Sequence, residues 1–151
     1  MRLSARSEYG LLAMIDLAAR TEDGPVSARE ISETQAIPAK FLEQLLVKLR
    51  QGGLISSVRG AHGGFVMDKD PESVTVLEIV EALEGPLVST VCDGERSAVC
   101  GRNGICAAAD IWGRATDALR EVFESTTLDD LVRRQRTLDM AEESSAGRET
   151  G

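Results

Sequence analysis

Three cysteines stand within fifteen residues, Cys92-x7-Cys100-x5-Cys106, and the chain has no others. Thiolate is the soft ligand that iron–sulfur clusters use. The spacing is not the C-x2-C pairing of zinc ribbons. Wider gaps on a segment rich in Gly and Arg allow three thiolates to converge on one centre, so metal or cluster binding is the first reading of these residues. Val91, Val99 and Ile105 each precede a cysteine and offer apolar shielding, while Arg96 and Arg102 offset thiolate and cluster charge. The competing reading is unrelated thiols, or a redox pair with a spare. An odd count argues against a closed disulfide framework, and clustered thiols in a reducing compartment more often serve metal or redox chemistry.

A second group of residues points to DNA. Pro38 is followed by Phe41, Leu42, Leu45, Leu46 and Leu49 at helical spacing, and Gly52-Gly53 ends the run. Ahead of it, Ser27-Ala28-Arg29-Glu30 fits a capping box that opens a short helix to about Thr34. Two short helices joined by a few residues form a helix-turn-helix candidate. Its second helix would carry Ala39, Lys40, Glu43 and Gln44 near its start, where base edges are read. Glutamine pairs two-pronged with adenine, and glutamate accepts from the cytosine amino group. The bland alternative is a solvated helix face that happens to carry these types.

The β-prone run Leu54 to Arg59, the turn Gly60 to Gly64 and the return Phe65-Val66-Met67 read as a β-hairpin, placed where a winged-helix protein has its wing. Arg59 lies at the tip beside Gly60, where the backbone can approach a ligand closely. A wing arginine enters a narrow minor groove, and Ser57 is positioned to donate to phosphate. His62, the single histidine, is read as a solvated turn residue ahead of a phosphate contact or metal ligand.

The remaining elements must position these groups. An apolar stripe through Leu11, Leu12, Met14, Ile15, Leu17 and Ala18 predicts a helix over about 7–20, and Thr75-Val76-Leu77-Glu78 is a capping box for a helix to about Glu84. Gly85-Pro86 breaks that helix. Residues 86–105 have little periodicity. Ile111, Trp112, Ala115, Leu119, Val122 and Phe123 mark a long amphipathic helix from about 106 to 124, and Thr127-Leu128-Asp129-Asp130 opens a short one. The chain therefore divides into a winged helix-turn-helix over 1–85, a cysteine-bearing loop over 86–105, a long helix plus short helix over 106–139, and a disordered Glu/Ser/Gly-rich tail over 140–151. The fold class is mainly α with a small β-hairpin wing.

Composition limits the partners. The net charge is −8, but residues 1–70 are balanced and the whole excess lies in 71–151. Within 38–64, Lys40, Lys48, Arg50 and Arg59 face only Glu43, and phosphate responds to such a local patch more than to the total. Aromatic residues make up 3% of the chain, so the core must rest on aliphatic helix packing. No apolar run approaches the roughly 20 residues that span a bilayer, and no secretory leader is evident. A cytoplasmic protein without membrane contact is expected. There is no nucleotide-binding loop and no acid–base pair, so an enzyme is not expected.

Taken together, these motifs resemble the IscR/NsrR type of winged-helix iron–sulfur transcriptional regulators over about residues 1–138. The carriers are Met1-Arg2-Leu3-Ser4 with Tyr9, Ala13-Met14, Phe41-Leu42-Glu43-Gln44-Leu45, Gly53 to Gly60 followed by Gly63-Gly64, Asp110-Ile111-Trp112 after the cysteines, and Thr127 to Leu131. The resemblance implies homodimers joined by the long helix, a partly palindromic double-stranded DNA operator, and a 2Fe–2S or 4Fe–4S cluster whose state controls DNA affinity, most simply as a repressor answering cluster status, oxidants or nitric oxide. It implies Glu43, Gln44 and Arg59 as DNA readers. Two departures matter. Relatives often space the first two cysteines by five residues, against seven here. The histidine that IscR-like members carry three residues after the last cysteine is Ala109 here, whereas the position at which NsrR-like members take a carboxylate from the other subunit is Glu8. Glu8 is therefore the expected fourth ligand, beside the plain reading of a solvated first-turn residue favoured by the helix dipole. Some family members sense through thiols with no cluster, which keeps a cluster-free redox regulator of the same fold as the alternative.

Overall fold

The computed structural model describes residues 4–87 and 106–149. Six helices and one hairpin are present among them: α1 (Ala5–Ala19), α2 (Ala28–Gln35), α3 (Ala39–Gln51), β1 (Ile55–Val58), β2 (Gly64–Met67), α4 (Val76–Glu84), α5 (Ala107–Ser125) and α6 (Leu128–Glu149). The fold is the expected one, mainly helical with a hairpin wing.

Local chemistry sets the helix starts. Ser4 caps α1 by accepting from the amides of Arg6 and Ser7. The capping boxes Ser27/Glu30 and Thr75/Glu78 both form, each satisfying amides that a helix start leaves without partners. Thr127 and Asp130 exchange the same pair of bonds at the head of α6, at 3.0 and 3.1 Å. Pro38 is the N-cap of α3. The turn between α2 and α3 passes through Ala36 in the left-handed region (φ 51°) and is closed by Ser32, whose hydroxyl donates to the Ile37 carbonyl at 2.7 Å.

Packing joins these pieces into a head. Met14 and Leu17 of α1, Ile31 of α2, Leu42, Leu45 and Leu49 of α3, Leu54 and Ile55 at the hairpin base, and Ile79 and Leu83 of α4 are almost wholly buried. Each such side chain contributes about 1.5–3 kcal/mol by leaving water. Gly10 lets α1 lie directly on α4, because a Cβ there would fall 2.2 Å from a Leu83 methyl. Asp16, buried on α1, takes a two-pronged contact from Arg20, whose guanidinium also donates to Thr34 on α2 at 2.8 Å.

Two non-local pairings were not visible in the sequence. The hairpin pairs Ile55 with Met67 through Val58 with Gly64, and Val26 adds a bridge to Phe65 with bonds of 3.0 and 2.8 Å, so the wing is anchored beside α2. At the other end, Thr75 bridges Thr127, and Leu128 and Val132 enter the core of the head. The chain leaves the head for α5 and returns to it at α6.

One boundary differs from the sequence expectation. A short helix and a disordered tail from Met140 were expected, but α6 continues to Glu149. Met, Ala and Glu after position 139 are strong helix formers, and the serines that suggested fraying fold their hydroxyls back onto helix carbonyls, as Ser145 does onto Ala141 at 3.1 Å.

Candidate functional site

Helix α3 has two unlike faces. Leu42, Leu45, Leu46 and Leu49 point into the core, and Lys40, Glu43, Gln44, Val47 and Arg50 are exposed. Lys40, Glu43 and Gln44, the predicted readers, thus share one solvent-facing surface. Ser57, Arg59 and Gly60 are exposed on the wing, with Gly60 at φ 122°, a conformation suited to glycine. Arg50 joins the two surfaces: its guanidinium lies 3.4 Å from the Ser57 hydroxyl. His62 is exposed in the turn.

The basic patch is smaller than the sequence suggested. Lys48 turns away from the exposed face, and its ammonium donates to the Leu83 carbonyl oxygen at 2.7 Å. It neutralises the negative end of α4, which leaves Lys40, Arg50 and Arg59 as the cations of the outer surface. Arg50 was counted in the patch but not singled out as a site residue. Its signal was its place seven residues after Glu43, two turns along the same face.

The last turn of α4 is a junction. Lys48 ties it to α3. Ser4 and Ser7 both donate to Glu84, the latter at 3.1 Å, tying it to the start of α1. Glu81 accepts from the Leu87 amide at 3.1 Å and from Arg120 of α5 at 3.2 Å, and Arg120 also donates to the Leu87 carbonyl at 3.0 Å. Both backbone polar groups of Leu87 are therefore held, and 88–105, with Cys92 and Cys100, follows immediately in the chain.

Of the predicted cluster ligands, Cys92 and Cys100 lie outside the described residues, as does most of the 86–105 segment. Cys106 is half-buried, is a free thiol, and occupies the N-cap of α5 without a capping bond of its own. A soft ligand without a competing bond, at a helix end that favours negative charge, fits an anionic thiolate-held centre. Glu8 is exposed in the first turn of α1, as a ligand offered to another subunit or a solvated residue would both be. Among the described residues no three His, Cys, Asp or Glu side chains gather at metal-binding distance.

Helix α5 buries no residue. Ile111 (51% exposed), Trp112 (54%) and Val122 (59%) form with Ala108 and Ala115 an apolar stripe at helical spacing. No described helix is long and apolar enough to cross a membrane.

A helix-turn-helix with a bridged wing and an outward polar stripe on its second helix defines a winged-helix DNA-binding regulator. The chain belongs to the Rrf2 family, whose profile, described as an iron-dependent transcriptional regulator, matches residues 3–134. It is 39% identical to the HTH-type transcriptional regulator CymR of Bacillus subtilis (strain 168) over 134 residues, covering 87% of this chain and 90% of that one. It is 38% identical to IscR of Escherichia coli (strain K12 / DH10B) over 141 residues, covering 93% and 86%. Among solved structures, IscR of T. potens superposes with a TM-score of 0.74 at 32% identity, covering 89% and 88%. The structure of CymR, the global cysteine regulator of B. subtilis, superposes with a TM-score of 0.71 at 38% identity, covering 89% and 98%. The chain is a transcriptional regulator of this family.

Proposed function

We propose that the protein acts as a homodimer on a partly palindromic operator, with a grip set by an iron–sulfur cluster on Cys92, Cys100 and Cys106. The observation that carries this reading is the junction at the end of α4: the residue from which the cysteine-bearing segment departs is bonded to α4 and α5, and α4 is bonded to α3 through Lys48. A cluster supplies a redox-labile crosslink whose gain or loss changes how tightly that segment is held. Glu81 and Arg120 hold the near end of the segment, Cys106 lies at its far end, and Lys48 carries any shift of α4 to the base-reading helix. Glu8 of the partner subunit completes the ligand set. A carboxylate is a harder ligand than thiolate, which makes the centre more labile.

The dimer rests on α5. A 19-residue helix with no buried residue gains little stability from propensity alone, and its apolar stripe is self-complementary if two copies pair about a two-fold axis. Paired heads present two α3 helices, which suits half-sites about one helical turn apart. Lys40, Glu43 and Gln44 then read bases, while Ser57, Arg59 and Gly60 approach the backbone and minor groove.

A second reading keeps the same fold and DNA surface but senses through thiols without metal. The relationship to CymR, a cysteine regulator, favours it. Purification without air separates the two. The cluster reading expects a brown protein with iron and sulfide, lost in Cys100→Ser and with a shortened lifetime in Glu8→Ala. A colourless, iron-free protein from iron-replete cells overturns it and leaves the thiol reading, which then requires operator affinity to change on mild thiol oxidation.

A further inference from the structure

Val47 is 43% exposed on α3, on the side opposite the four leucines, and belongs neither to the core nor to the apolar side chains packed against it. At about 100° per residue it falls roughly 20° from Lys40 in projection and between Glu43 and Gln44. Positions 40, 43, 44 and 47 are thus an i, i+3, i+4, i+7 set, the spacing by which a recognition helix presents side chains to successive base edges. The fold has no use for valine there. A β-branched residue forms helix less readily than alanine or the long polar residues, and this one takes no part in the core formed by the described residues. Single apolar residues are common on protein surfaces. Val47 differs in being the large apolar member at the centre of a stripe of hydrogen-bonding side chains.

We infer that Val47 is a specificity-determining residue that packs its methyl groups against the C5 methyl of a thymine in the major groove. The inference rests on α3 being the base-reading helix. Thymine is the base that offers an apolar group on its major-groove edge. Glu43 and Gln44, one turn earlier on the same face, are suited to cytosine and adenine edges. The three side chains together give a composite preference in which one position is chosen by shape and apolarity, without a hydrogen bond.

Replacing thymine by uracil removes the methyl group and leaves the pairing and every hydrogen-bonding group in place. Duplexes bound by the full-length protein are selected from a random-sequence library, and each thymine of the recovered site is replaced singly. The expected result is one thymine position at which the wild type loses about fourfold in affinity, the fold-change for taking one buried methyl group back into water. Val47→Ala binds the thymine duplex more weakly than the wild type and is insensitive to uracil at that position, while both respond alike elsewhere. Val47→Thr, which keeps one methyl, retains part of the sensitivity and provides a second helix-compatible variant. Equal responses of wild type and Val47→Ala at every thymine overturn the assignment. Failure of the wild type to enrich any sequence is a separate result, and it overturns the base-reading role of α3 itself.

Discussion

Helices α3 and α5 are both amphipathic, yet they finish differently. The leucines of α3 are covered by α1, α2 and α4, and its outer face is mostly polar. Three large apolar side chains of α5 are left uncovered by the described residues: Ile111, Trp112 and Val122 are each more than half exposed, while Leu119 and Phe123 are half-buried and Arg120 bonds to α4. The head is closed by its own chain, including Leu128 and Val132 brought back by α6. The apolar stripe of α5 has no such cover among the described residues, as the proposed pairing with a second copy requires. The difference separates what the sequence must do to fold from what it must do to bind.

The strongest way to break this comparison is to place charge on the two faces. Ile111→Glu with Trp112→Glu should convert dimer to monomer in sedimentation and lower operator affinity by about 10²–10⁴-fold, the range lost when two linked binding modules act singly. The helical circular dichroism and thermal transition of the head should persist. If the double variant remains dimeric, α5 is not the interface. A single charge on the inner face of α3, Leu49→Glu, should instead abolish cooperative unfolding, because a charge in that core has no partner.

Arg59→Ala tests the outer surface with a smaller effect. One lost arginine contact should weaken operator binding by about 10–100-fold, leaving the visible spectrum and dimerisation unchanged. A loss spread equally over all DNA sequences, with a shallower salt dependence, would mark Arg59 as a phosphate contact. A loss confined to the preferred site would mark it as a groove reader.

The smallest effect concerns the helix caps. Hydrogen bonds from Ser27 hold the Glu30 carboxyl below its ordinary value, and the backbone amide and hydroxyl of Thr127 do the same for Asp130. For Glu78, burial pushes upward but is outweighed by Lys69 and by the Thr75 amide. A carboxyl whose value is depressed on folding stabilises the fold above its unfolded value, and that contribution is lost as pH falls through the folded one. Stability should therefore decline below about pH 4.5, the ordinary glutamate value. A Glu78→Gln variant should be less stable than the wild type near neutrality and converge with it on acidification. A difference in Tm that stays constant to low pH would remove the cap as its source.

Much of the head was legible because its signals are local. Ser27 with Glu30, Thr75 with Glu78, and the leucine spacing of α3 each state an element and its inward face. Lys48 was misread because a lysine on a helix gives no sign of a carbonyl within reach on another helix, here that of Leu83. Val26 beside Phe65 and Thr75 beside Thr127 are pairings across long chain separations, which periodicity does not encode. The exposed side of α5 was legible as apolar, but its lack of cover among the described residues became visible only with the neighbours in place. Val47 was passed over although its place seven residues after Lys40 already put it on the polar face; its exposure there became visible only with the leucines packed.

The central claim is that the state of the three thiols sets the hold on DNA. The direct measurement is the operator dissociation constant of the anaerobically isolated protein against that of the Cys92/Cys100/Cys106→Ser variant at one salt concentration. The account predicts a ratio of at least about fivefold, within the usual range of coupling between two sites, and a smaller ratio when Arg120→Met is placed in both proteins. Equal constants for the native and thiol-free dimers, each specifically bound, would contradict it.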